Sequence, residues 1–308
     1  MADSARTAGH GPAPADESPY SFTTPLGQRL LREILRERLP FDPHDYLLDW
    51  TAAILNGHHL LGITATGDGK SCLSYFPLLV MQYFARQSEK PAGWLWPDDP
   101  MVLVICPTKG IEEEQAADMI ALDIRALAIN SDLVSAARLK GIDLWQHARA
   151  QDMLFLSPEM LASTGFAGLV KVKAIWSRII LACVDEMHLI IEWTKNGFRK
   201  RFLPIGQLLS RLCPLARICA YSATLAPGPS EALVCKALGV FPGDVVTKRR
   251  SNLRANVQFE RRMLKSSLSG RSFPELNWIV DDARKGHSAL IFVDSINTGW
   301  RVATHLCR

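Results

Sequence analysis

No stretch of this 308-residue sequence stays apolar for the roughly 18 residues a membrane-spanning helix needs, and the longest runs, Ile179–Val184 and Met101–Cys106, fall far short of it. No span is expected. The first twenty residues lack the apolar core of a secretory signal and carry Asp3, Arg6, Asp16 and Glu17 among Ala, Gly and Pro, so the chain is expected inside the cell. No cysteine pair stands at C-x-x-C spacing. The seven cysteines are an odd number, mostly set inside apolar runs, which speaks for buried thiols over a disulfide framework or a metal cluster. Neither sign of charge is in large excess: 35 Lys and Arg against 31 Asp and Glu leave a net +4, a mild pull on polyanions whose distribution matters more than its sum. No repeat of fixed period is found. With 48% hydrophobic and 21% charged residues, the composition excludes a disordered or collagen-like chain and leaves a globular protein long enough for about two domains.

Residues 1–20 are small, polar and poor in large apolar side chains, and are expected to form a disordered tail. From Leu26, apolar positions recur at helical spacing through Leu30, Leu31, Ile34, Leu35 and Leu39 until Pro40 stops them. A second helical stretch runs from about Tyr46 to Leu55 and ends at Asn56-Gly57. Short apolar runs then alternate with longer mixed segments: His59–Ala65, Met101–Cys106, Met153–Leu156, Ile179–Asp185, Arg217–Ser222 and Ala289–Val293. Runs buried on both faces and separated by crossover-length segments predict an α/β fold, a parallel sheet between helices. Pro77 predicts a kink or end in the helix after the first run. Residues 246–265 hold seven basic side chains, Lys248, Arg249, Arg250, Arg254, Arg261, Arg262 and Lys265, against the single acid Glu260, and read as a basic connector extending to about residue 270. A domain over 21–245 would precede it and a partial second one, 271–308, would follow.

Directly after the first predicted strand stand Thr64-Ala65-Thr66-Gly67-Asp68-Gly69-Lys70-Ser71. Glycines there let backbone N–H groups close around phosphates, while Lys70 would reach the β and γ phosphates and Ser71 a Mg²⁺ ion. The strict P-loop pattern fails at Thr64, which takes the place of its first glycine. The fourth strand ends in Asp185-Glu186-Met187-His188. A carboxylate at a strand's C-terminal end holds Mg²⁺, and its neighbour Glu186 is placed to polarise an attacking water. The run Glu112-Glu113-Glu114 reads as a solvated helix start. His58, His59 and His147 have no ligand-like partners at readable spacing and read as surface or packing residues.

With these motifs and Tyr221-Ser222-Ala223-Thr224 in order, the chain resembles the superfamily 2 helicases, and within them the RecQ-like DNA helicases. Cys106-Pro107-Thr108 with Gln115 resembles their motif Ia, Ser157-Pro158-Glu159-Met160-Leu161 the A-P-E-R-L box, and Ser288–Ser295 the motif IV that opens a second domain. The resemblance implies a RecA-like P-loop NTPase domain plus the start of a second, with ATP and Mg²⁺ as cofactors and DNA as partner. It implies catalytic roles for Lys70, Asp185, Glu186 and His188, nucleotide contacts from Thr66, Gly67, Asp68, Gly69, Lys70 and Ser71, and Mg²⁺ ligation by Ser71 and Asp185. Ser222 and Thr224 would couple nucleotide state to domain movement. A 3′ to 5′ DNA helicase is also expected in the nucleus.

After His188 the family carries an aromatic-rich loop, here Trp193 with Phe198, Arg199 and Lys200, in which aromatic faces stack on bases while cations hold the backbone. The other reading packs Trp193 and Phe198 in the core and leaves the cations solvated. The loop is one residue longer than the family's W-x-x-x-F-R spacing and lacks its usual His. The family's adenine-reading Gln has no counterpart near Leu47, where the spacing would put it. Motifs V and VI, with the arginine that neutralises the transferring phosphoryl group, have no match in these residues, so this chain is expected to bind nucleotide far better than it hydrolyses it. A noncatalytic ATP- and nucleic-acid-binding module and an RNA helicase of the same superfamily are the alternative readings.

Overall fold

The computed structural model describes residues 21–91, 96–191, 205–213, 215–241, 243–254 and 256–307. They form two compact units, divided between Leu253 and Arg254.

The first unit is built on seven strands: β1 (His59–Ile63), β2 (Met101–Ile105), β3 (Ala126–Ile129), β4 (Met153–Leu156), β5 (Ile179–Asp185), β6 (Arg217–Ser222) and β7 (Val245–Arg249). They lie in the order β3-β4-β2-β5-β6-β1-β7, every neighbouring pair parallel. Parallel strands cannot be joined by tight turns, so helical crossovers connect them. Ahead of the sheet stand α1 (Pro25–Arg36) and α2 (Asp45–Leu55); α3 (Cys72–Ala85) and α4 (Lys109–Ala121) follow β1 and β2. Then come α5 (Ser131–Leu139), α6 (Leu144–Ala148), α7 (Pro158–Leu161), α8 (Thr164–Val170), α9 (Lys173–Trp176), α10 (Ile205–Leu212) and α11 (Pro229–Leu238).

The two faces of the sheet face two separate cores. Along β2, Val102 and Val104 join the cluster with α1 to α4, while Met101, Leu103 and Ile105 join the one with α7 to α11. That is the period-two alternation of a strand covered on both sides. In β5 the alternation slips once: the register passes from Met101↔Ile179 to Val102↔Leu181, a bulge at Ile180 that puts Ile180 and Leu181 in the same cluster. Gly62 in β1 is required by packing, since a Cβ there would meet the Trp50 ring at 2.8 Å. Four of the predicted runs are strands with bounds within one residue of those read, and the first ends two residues early.

Four expectations are corrected. The helix after β1 does not end at Pro77: it runs from Cys72 to Ala85, because Phe76, Pro77, Leu78, Leu79, Val80 and Met81 are all buried and packing offsets the one missing N–H. Strands β3 and β7 were not read from the sequence; they are the sheet's edges. Val245–Arg249, largely the head of the basic stretch, pairs along β1. Glu112 is not solvated: it is buried, and its Oε2 accepts from Asn130 Nδ2 at 3.1 Å.

The second unit holds a 3₁₀ turn (Pro274–Leu276), α12 (Asn277–Arg284) and α13 (Ile296–Leu306). Phe273 and Val302 are its buried apolar residues. The fourth correction falls here: Ala289–Val293, read as a strand, forms no ladder, and Leu290 and Phe292 are exposed. A strand needs a partner for its backbone groups, and none of the described residues pairs with it.

Candidate functional site

Ligands of open parallel sheets bind outside the C-terminal strand ends where the strand order reverses. Here β1 lies beside β6 with Ile63 opposite Ser222, and β6 beside β5 with Tyr221 opposite Asp185. The loop after Ile63, Ser222 and Asp185 thus share one edge of the sheet, the first and last about two strand spacings apart, roughly 10 Å.

The loop from Thr64 to Ser71 turns with Gly67 at φ 87° and Gly69 at φ 82°, the left-handed region that side chains avoid. Thr64, in the place of a glycine, is buried and donates its hydroxyl to Asp68 Oδ2. Lys70 is 9% exposed and folds back so that Nζ donates to Ala65 O at 3.2 Å. Ser71 stands exposed at the head of α3. Beside the loop, the Tyr46 hydroxyl donates to Asp68 O, and Arg250 lies 4.0 Å over the Tyr46 ring. Burial pushes the Tyr46 phenol up to about 12, so it remains a donor. Leu47 is buried at 2% exposure, and a Cβ at Gly69 would lie 3.5 Å from its Cδ1.

Asp185, 8% exposed, closes β5. Its Oδ1 accepts from the Glu186 N–H at 2.8 Å, and its Oδ2 from Gln115 Nε2 at 3.0 Å. Burial raises its pKa, against which the Gln115 hydrogen bond and the Lys70 charge work. Glu186 takes φ 48°, a left-handed turn uncommon for a residue with a side chain, and carries the chain out of the sheet. Its Oε2 lies 3.0 Å from His188 Nδ1 and accepts from Ser222 Oγ at 3.2 Å. The hydrogen bond with His188, then that residue's charge and Lys70, hold its carboxyl below the usual range. His188 Nδ1 and Ser222 Oγ are 2.6 Å apart, and Ser222 Oγ also accepts from the Thr224 N–H at 3.2 Å. The D-E-x-H and S-A-T motifs are therefore one hydrogen-bonded cluster.

The donor set fits a hard divalent cation. Magnesium takes oxygen ligands, with one or two carboxylates and substrate phosphates sufficing, and Asp185 with Ser71 supplies such oxygens. The two donors on Asp185 use only about half of a carboxylate's lone-pair positions.

Trp193, Phe198, Arg199 and Lys200 lie outside the described residues. His59 is a packing residue: its Nδ1 accepts from the Ile218 N–H at 2.9 Å, and burial lowers its pKa. The basic stretch is largely engaged, Lys248 with Asp49, Arg249 with Glu231 and Arg262 with Glu260. Sequence reading missed Tyr46 and Arg250, which are separated by some two hundred residues and carry no motif.

A family model described as DEAD/DEAH box helicase matches residues 49–232. The mouse ATP-dependent DNA helicase Q5 is 27% identical over 217 residues, 68% of this chain and 20% of that protein. The ATP-dependent DNA helicase RecQ of Haemophilus influenzae is 26% identical over 265 residues, 82% of this chain and 36% of that one. The chain thus spans between a fifth and about a third of these relatives. Among solved structures, the DUF1998 helicase MrfA aligns with a TM-score of 0.61 at 16% identity, over 91% of this chain and 40% of that one, a likeness of fold. No helix among the described residues is long and apolar enough to cross a membrane. Since the family model runs from α2 through the loop, the acid box and the S-A-T strand into α11, the chain belongs to the DEAD/DEAH box helicases.

Proposed function

We propose that this chain is the nucleotide-binding part of an ATP-dependent DNA helicase of RecQ type. The observation that carries the reading is the meeting of three motifs, the first of them more than a hundred residues from the other two, at the ends of β1, β5 and β6. In this reading the N–H groups of Thr66 to Gly69 and the Lys70 ammonium hold the triphosphate. A Mg²⁺ ion held by Ser71 and Asp185 would neutralise charge on the phosphates. Glu186, kept ionised by His188, Ser222 and Lys70, accepts a hydrogen bond from water and orients it. Ser222 and His188 pass the state of that carboxylate to Thr224 and the segment after β6. Trp193, Phe198, Arg199 and Lys200 grip single-stranded DNA by stacking and charge. The relatives, ATP-dependent DNA helicases by name, support DNA and the RecQ type over an RNA helicase. Turnover and 3′ to 5′ unwinding are proposed for a chain that also carries the cross-cleft arginine, a residue worth about 10³ to 10⁵ in rate.

Lys70→Ala is expected to abolish Mg·ATP binding in titration calorimetry while the circular dichroism spectrum is kept. Unchanged affinity in that variant overturns the proposal. DNA-stimulated ATPase assays on this chain and on one extended through a second domain separate a motor from a noncatalytic binding module.

A further inference from the structure

We infer that Gln115 is a positioning residue for the magnesium site: its side-chain amide sets the orientation of the Asp185 carboxylate. The inference rests on the nucleotide-site reading above. Gln115 lies on α4, seventy residues from Asp185 in sequence, and donates from Nε2 to Asp185 Oδ2 at 3.0 Å. The backbone N–H of Glu186 holds the other oxygen at 2.8 Å. Two donors on two oxygens, one from a helix and one from the strand end, restrict the carboxylate to one setting, as outer partners do for metal ligands generally.

The amide is itself oriented. Its Oε1 accepts from the Cys106 thiol at 3.7 Å, and burial raises the pKa of that thiol, so it stays a donor. A flipped amide would set Oε1 against Asp185 Oδ2, two acceptors facing each other. Cys106 at the end of β2, Gln115 on α4 and Asp185 at the end of β5 thus form a relay in which each member fixes the next. The surroundings make the relay testable. Gln115 borders a cavity of about 320 Å³ together with Ser71, Tyr75, Asp118 and Phe155, so altering its tip disturbs a space that is already open rather than a packed core. The same cavity borders Ser71, the other oxygen donor of the proposed cation site.

The test measures nucleotide binding by the full chain as a function of Mg²⁺, without turnover. Gln115→Met keeps the length of the side chain and removes both hydrogen-bonding ends. The Mg²⁺ concentration that half-maximally tightens ATP binding is expected to rise about tenfold to a hundredfold, while ATP affinity in excess chelator is kept. Cys106→Ser, which keeps a donor, is expected to leave the Mg²⁺ requirement near wild type, and Cys106→Ala to raise it by less than Gln115→Met does. An unchanged Mg²⁺ requirement in folded Gln115→Met overturns the positioning role alone, as does equal weakening with and without Mg²⁺. Wild-type chain that binds no ATP, or Lys70→Ala that binds it as tightly, overturns the nucleotide site and this inference with it.

Discussion

Ser222 holds more of the site together than its size implies. One hydroxyl donates to Glu186, lies within hydrogen-bond distance of His188 and accepts the Thr224 N–H. Removing it leaves the Thr224 N–H without that acceptor and Glu186 with one donor fewer. Ser222→Ala is therefore expected to cost about 1 kcal/mol in thermal unfolding, the net worth of a typical hydrogen bond, and to raise the Glu186 pKa toward the ordinary carboxylate value. A carboxylate whose folded pKa is depressed stabilises the fold above its unfolded pKa and loses that contribution as pH falls through the folded value. The pH-dependent difference between wild type and Ser222→Ala is thus expected to be present at neutral pH and to vanish in acid, which melts across a pH series check. The motif residues themselves were legible, since Lys70, Asp185, Glu186, His188 and Ser222 stand in short patterns whose chemistry is local. Gln115 was legible as a motif member, but its partner was not, because nothing in the sequence says which carboxylate a helix seventy residues away will meet.

At the scale of elements, α4 illustrates how a polar run misleads. Three consecutive glutamates at a helix start read as solvent-facing, yet a helix turns 100° per residue, so the three spread over 200° of its circumference and the first can fall on the packed face. Glu112 turns in, where Asn130 donates to it and at the same time caps α5 through the N–H groups of Asp132 and Leu133. Its other oxygen, Oε1, has no hydrogen-bond partner among the described residues, and burial raises the carboxyl from 4.5 to about 7. A carboxyl raised in the fold favours folding most at low pH and costs stability as pH rises through 7. Glu112→Gln is therefore expected to stabilise the protein at pH 8 by about 2 kcal/mol, with the gain shrinking as pH falls below 7 toward 4.5; chemical denaturation at a series of pH values measures it. The edge strands carry the matching lesson. Inner strands are apolar on both faces and announce themselves, whereas β7 is nowhere fully buried, ends in Lys248 and Arg249, and reads as connector until β1 supplies its hydrogen bonds.

At the scale of the molecule, both apolar clusters draw all their members from the first unit, and both faces of its sheet are covered. The second unit buries Phe273 and Val302 and leaves Leu290, Phe292, Ile296 and Trp300 exposed. Truncation after Leu253 is therefore expected to leave the main thermal transition within about 3 °C of the full chain, because a residue pair of that burial accounts for little of a domain's unfolding. It is expected also to preserve Mg·ATP binding. Calorimetric scans of the two chains, with nucleotide titrations, check both outcomes; a drop of the transition well beyond that margin would show that the large unit leans on the small one.

From the sequence alone came the parallel α/β class, the inner strands almost to the residue, and the three motifs, because each depends on short-range patterning: apolar runs, glycines at a turn, acids at a strand end. The tertiary structure decided what distance in sequence conceals. Strand order put the ends of β1, β6 and β5 side by side, the packing of α4 brought Gln115 to Asp185 and turned Glu112 inward, and the edge of the sheet took up β7. It also left Ala289–Val293 outside any ladder, for a strand's hydrogen bonds belong to two segments at once, and the residues of one segment cannot name the other.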